Sequence, residues 1–282
     1  MATNSTLDRN SILAARQALQ PVREGGWLGG FGNMLRKEVG EWFGTRRWIW
    51  QTIIWLAIIN GFIAFVVFIV PTIDPSEAGG QNGIPPTDVM ALTLFFAFDV
   101  IFGSIGMVIL AQDEIIQEKQ SGTAAWILSK PVSRHAFILT KLLSNAIGGL
   151  IFIVGIPALV TAGEVYLAAG HGMPLLPYLA AIGIVLLSLY FYLCLTVMLG
   201  VLFEQRGPVL GVAFGVLFGG LIAANFFPQL AYVLPLQMDK ISLALVQGQP
   251  LPTPAFFEIA STFVLSVLFI LVALWRFERE EF

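Results

Sequence analysis

Six apolar runs divide the chain, covering approximately residues 48–70, 89–111, 142–162, 175–203, 209–227 and 257–275. Each is long enough to cross a hydrocarbon core of about 30 Å at a rise of 1.5 Å per helical residue. Backbone amides and carbonyls find no water to bond in lipid, so continuous apolar runs are expected as helices; the strands of a membrane barrel would alternate apolar and polar residues instead. Ahead of the first run, Phe31, Met34, Leu35, Val39, Trp42 and Phe43 recur at the spacing of one helical face, while Arg36, Lys37 and Glu41 lie mostly elsewhere around it. Residues 31–47 are therefore expected to form an amphipathic interfacial helix that delivers a tail, residues 1–30, to the first span.

The connections differ in kind. Residues 71–88 are rich in glycine and proline and carry Asp74, Glu77 and Asp88 without a base, the composition of a flexible loop. Between the fifth and sixth runs, Leu230 to Leu236 and Ile241 to Val246 are apolar pieces too short to span, hemmed by Pro228, Pro235, Pro250, Pro252 and Pro254. They are expected as short re-entrant or interfacial helices.

Composition agrees with the pattern and excludes a soluble enzyme. Hydrophobic residues make up 57% and charged residues 12%, against about 25% charged in an ordinary soluble domain, and mean hydropathy is +0.81. The fold class is thus all-α integral membrane with six spans. Residues 1–26 hold Arg9, Arg16 and Arg23 but no apolar core of signal-peptide length. Fourteen of the fifteen lysines and arginines precede span one, lie between spans two and three or four and five, or follow span six; only Lys240 lies on the other side. By the positive-inside rule both termini and the loop after span two face the cytoplasm, as in a multi-pass protein of a bacterial inner (plasma) membrane. Trp42, Trp48, Trp50 and Trp275 gather near that interface and are expected to anchor helices there. The single Cys194 lies in an apolar run and reads as a small buried hydrophobe.

One polar stretch interrupts this layout: EKQSGTAAWILSKPVSR, Glu118 to Arg134. Thr123 is placed to cap a short helix through Ala124, Ala125, Trp126, Ile127 and Leu128; Pro131 would end it and Ser133 would cap the next. A short capped helix with a large apolar tip at a membrane surface suits a partner that pushes on it. The order Glu118, Ser121-Gly122-Thr123, an apolar patch, Ser129-Lys130-Pro131-Val132-Ser133-Arg134 and then Lys141 resembles the cytoplasmic loop of ABC-2 type transporter permeases, and the six-span layout extends the resemblance over most of residues 30–282. Short outer helices between the last two spans occur in that family too. Ala124 departs from the pattern, where a larger apolar residue is usual, so Trp126 would supply the bulk. The resemblance implies a coupling helix that docks on a separate ABC ATPase subunit through Glu118, Lys119, Gly122, Thr123, Trp126, Ile127, Leu128 and Arg134. It also implies a second permease chain, with ATP and magnesium held by the partner ATPase, no cofactor bound by this chain and no nucleic acid.

Motor chemistry is missing from the chain itself: no lysine is followed by serine or threonine, so a phosphate-binding loop ending Gly-Lys-Ser/Thr does not occur. Asp99 falls about ten residues into the second span, where a charged carboxylate costs about 2.5 to 3.5 kcal/mol. It is either a substrate or ion site, as in an ion-coupled carrier or channel, or a structural group bonded to Asn60 or Asn145. Gly207, Gly211, Gly215, Gly219 and Ala223 recur every four residues along the fifth span, a groove for close helix approach within the chain or between subunits. His135 and His171 fall on opposite sides of the membrane, which leaves no histidine pair for a metal or for catalysis. Glu164 and Glu258, at outer helix ends, read as solvated. A non-transporting structural subunit would keep the same spans.

Overall fold

The computed structural model describes residues 26–280 apart from residues 78, 81, 82 and 131. Six helices are long and apolar enough to cross a membrane: Arg47–Ile73, Thr87–Gln120, Arg134–Ala169, Leu175–Leu202, Arg206–Ala224 and Ala255–Glu278, referred to as spans one to six. No strand occurs among the described residues. Spans two and three, at 34 and 36 residues, would measure about 51 and 54 Å at the helical rise, so several turns of each project past a hydrocarbon core of about 30 Å. Those extra turns persist because they bury side chains: Ile115 and Ile116 at the end of span two, and Ala136, Phe137 and Ile138 at the start of span three, lie in the core.

Span four is the central helix, packing against spans two and six and the far-side helix. Its Leu189, Leu193, Cys194 and Val197 join Phe95, Phe96, Ile138 and Ile153 in one apolar cluster. The interfacial helix, Phe31–Gly44, lies on the first half of span three. Its buried face is Met34, Glu38 and Trp42, spaced four apart. Trp42, expected at the lipid interface, is 2% exposed because Gly148 of span three leaves room for it. A Cβ on Gly148 would overlap the indole ring. Trp55 of span one sits over Gly106 of span two in the same manner. Trp48, Trp50 and Trp275 are exposed, as interface anchors require.

On the side opposite the loop, the two short apolar pieces form the 3₁₀ turn Pro228–Tyr232 and the helix Met238–Gln247. This far-side helix packs on spans two and four, burying Met238, Ile241 and Ala244. Glu164 and Glu258 are buried rather than solvated. Glu258 accepts a hydrogen bond from the Gln237 amide at 2.6 Å, satisfying a donor that the start of the helix leaves unpaired. Glu164 accepts one from Asn60 at 3.0 Å. Burial also raises the pKa of Asp239, in the first turn of the far-side helix, from its ordinary value.

Candidate functional site

The loop between spans two and three is built around a reversal at Gly122, whose φ of 72° is left-handed, a conformation that glycine adopts without a Cβ penalty. The loop helix Thr123–Leu128 follows directly. Thr123 is its first residue rather than its cap: the Ser121 hydroxyl pairs with that of Thr123 at 2.8 Å and accepts from the Thr123 amide at 3.4 Å. The helix turns Ala124 and Ile127 into the core, with Leu128 half-buried beside them. Trp126 points the other way, 62% exposed, with the Lys130 ammonium 3.4 Å above its ring. Pro131 lies outside the described residues. Ser133 caps span three as expected, accepting from the Ala136 amide at 3.0 Å, and its hydroxyl donates to the Trp27 carbonyl at 2.7 Å.

The charges expected to meet a partner have partners within the chain. Glu118 accepts from Lys141 Nζ at 2.8 Å, and Glu38 of the interfacial helix lies 3.5 Å from the same ammonium. One turn deeper, Asn145 donates to Glu114 at 2.6 Å, whose other oxygen lies 3.6 Å from Arg47. The Lys141 side chain is 4% exposed. Lys37 extends this cluster toward the surface, 3.4 Å from Glu38 and 3.3 Å from Glu41; burial opposes its charge, but the two acids outweigh it and raise its pKa. Lys119 pairs with Glu280 and donates to the Val201 carbonyl at 3.2 Å. Arg134 donates to the carbonyls of Phe277, Glu278 and Glu280. The last carbonyls of a helix lack intrahelical donors and carry the negative end of its dipole, so an arginine is a fitting cap for span six. The loop helix thus packs on the end of span two, and the charges that flank it tie that end to the interfacial helix, span three and the end of span six.

Sequence reasoning missed Glu38, Glu114 and Glu280. A signal for the first two existed: Glu38 continues the Met34 to Trp42 stripe, and Glu114 and Glu118 are four apart, as are their partners Asn145 and Lys141, so each pair shares a helix face. For Glu280 there was none.

Asp99 opens a π-helical turn, Asp99–Gly103, in span two. It is fully buried, and neither carboxyl oxygen has a hydrogen-bond partner among the described residues. The two asparagines expected to bond it are engaged elsewhere: Asn60 with Pro157, Thr161 and Glu164, Asn145 with Glu114 and the Lys141 carbonyl. Gly103 makes the space, since a Cβ there would lie 2.7 Å from Asp99 Oδ1. Along span five, a Cβ on Gly207, Gly211, Gly215 or Gly219 would meet nothing within 4 Å, and Ala223 is only half-buried. No described helix of the same chain fills this groove; the opposite face, Val209, Ala213 and Leu217, packs on the bundle. Among the described residues, no three His, Cys, Asp or Glu side chains converge so as to hold a metal ion.

These features define a multi-span, all-helical membrane protein that presents a short, seated helix at one face. The chain belongs to the family described as "Protein of unknown function (DUF2705)", whose profile matches residues 73–282. The match takes in spans two to six, the loop helix and the far-side helix. A comparison with curated proteins finds no match.

Proposed function

We propose that the chain is the permease subunit of an ABC transporter, with the loop face cytoplasmic and the loop helix Thr123–Leu128 docking on a separate ATPase subunit. The observation that carries the reading is the loop helix itself. Its inner side is buried by Ala124 and Ile127, it is braced by the Glu118–Lys141 pair, and it offers the solvent one large aromatic, Trp126. Such a tip suits a hydrophobic groove on a partner. The resemblance of residues Glu118 to Lys141 to the ABC-2 loop supports the same reading. The lack of a phosphate-binding loop is compatible with it, since a permease of this kind would use ATP and magnesium held by its partner. In this arrangement Glu118, Lys119 and Arg134 position the loop, and Trp126 makes the contact. A second permease chain lies along the open glycine face of span five, and the pair exports or extracts its cargo.

Purification in mild detergent with mass spectrometry of bound subunits tests this. A partner bearing a Gly-Lys-Ser/Thr loop, retained by the wild type and lost with Trp126→Asp, is expected; a chain recovered without any ATPase overturns the reading. The unpartnered Asp99 favours a second reading, an ion-coupled carrier. Asp99→Asn leaves transport nearly unchanged in an ATP-driven permease and abolishes it in such a carrier.

A further inference from the structure

A groove of about 360 Å³ opens between spans three, four and six, with Met107 of span two behind Gly149 and with Gly183, Leu186, Leu187, Phe263 and Val267 around it. Its depth follows from the helical rise. Gly183 is eight residues from the start of span four and Phe263 eight from the start of span six, so each sits about 12 Å in from the far-side end. The groove is therefore within the hydrocarbon core. Its rim is open on the lipid side, where Leu150, Phe263 and Val267 are 46%, 59% and 39% exposed. The lining gives a polar ligand no free donor: the Ser266 hydroxyl, 2% exposed, already donates to the Thr262 carbonyl at 2.7 Å, and the Tyr190 hydroxyl lies against the Cys194 thiol.

From these observations we infer that the groove is a binding site for a single acyl chain of a membrane phospholipid. Size selects the occupant. One turn of α-helix, about 10 Å across and 5.4 Å tall, fills roughly 400 Å³, so the backbone of a second copy's helix does not enter and only its side chains could reach in. At roughly 30 Å³ for a group the size of a water or methylene, the volume takes about a dozen such groups, most of one lipid tail. Water has no polar partners at this depth. Attraction between apolar groups inside a bilayer comes from close packing, and Gly183, where a Cβ would meet nothing within 4 Å, lets a tail approach the backbone of span four.

The test is reconstitution of the full chain in phosphatidylethanolamine vesicles that contain a trace of the same lipid with a diazirine at mid-chain, followed by photolysis and peptide mapping. Labelling concentrated on the peptides holding Leu187 and Val267 is expected. A Cβ on Gly183 would meet nothing within 4 Å, so Gly183→Leu fills the groove without displacing protein and should cut that labelling about fivefold. Val267→Trp, narrowing the groove from span six, should do the same. Gly163→Leu, a like change at an exposed glycine outside the groove, should not. Labelling spread evenly over all lipid-facing helices, unchanged labelling in both filled variants, or peptides protected by a second copy of the chain would each overturn the assignment.

Discussion

Replacing Lys141 with methionine removes a buried cation while keeping most of its volume. The ammonium lies 2.8 Å from Glu118 and 3.5 Å from Glu38, and the three side chains are 4%, 17% and 6% exposed. Glu118 would then face Glu38 without a counter-ion of its own, while Glu38 keeps only the half-exposed Lys37, 3.4 Å away. Removing one partner from a buried pair costs about 3–5 kcal/mol, and the mutual repulsion of two acids puts Lys141→Met at the upper end of that range. Glu118→Gln alone should cost less, about 1–3 kcal/mol, because Glu38 still pairs with the ammonium and the amide oxygen can accept its hydrogen bond. Neutralising both acids in the methionine background, with Glu38→Gln and Glu118→Gln, should recover most of the loss, since an apolar or neutral replacement of a whole buried cluster is often close to neutral. Thermal unfolding in detergent, followed by tryptophan fluorescence, reads all four proteins. A Lys141→Met cost of only about 0–1 kcal/mol, the range of an exposed ion pair, would show that the cluster is solvated. Failure of the triple variant to recover would show that the charges are not what the methionine disturbs.

Other expectations rest on single contacts. Gly148→Val should push Trp42 out of its slot, costing about 1–3 kcal/mol or more, and release the interfacial helix to limited proteolysis between residues 30 and 46; an unchanged digestion pattern would argue against the docking. Glu258→Gln alters the acceptor of the bond from the Gln237 amide at a cost of about 1 kcal/mol and should speed hydrogen exchange in residues 238–247, with no change counting against its capping role. Trp126→Asp, at a site 62% exposed, should alter stability by less than about 0.5 kcal/mol while, on the proposed function, losing the ATPase partner; a large drop in melting temperature would mean that the ring is packed.

The six spans, the interfacial helix and the short far-side helices were all legible in the order of residues, because lipid permits so few solutions. A long apolar run must satisfy its backbone internally, which makes it a helix, and Ser133 announced the start of span three by its own capping chemistry. Depth placed Asp99 inside the membrane, and the four-residue spacing put the span-five glycines on one face. Local pattern does not say which helix neighbours which, and pairing decides the rest. Asn60 and Asn145 were equally plausible companions of Asp99 until the packing turned both toward other groups. Glu118 and Arg134 read as surface charges, yet they meet Lys141, 23 residues on, and the end of span six, more than 140 residues on. Trp42 has the chemistry of an interface anchor and is buried only because Gly148, in another helix, lacks a side chain. Hydropathy and periodicity are properties of one segment at a time, whereas burial, ion pairing and open grooves depend on which surfaces meet, and only the tertiary structure settles that.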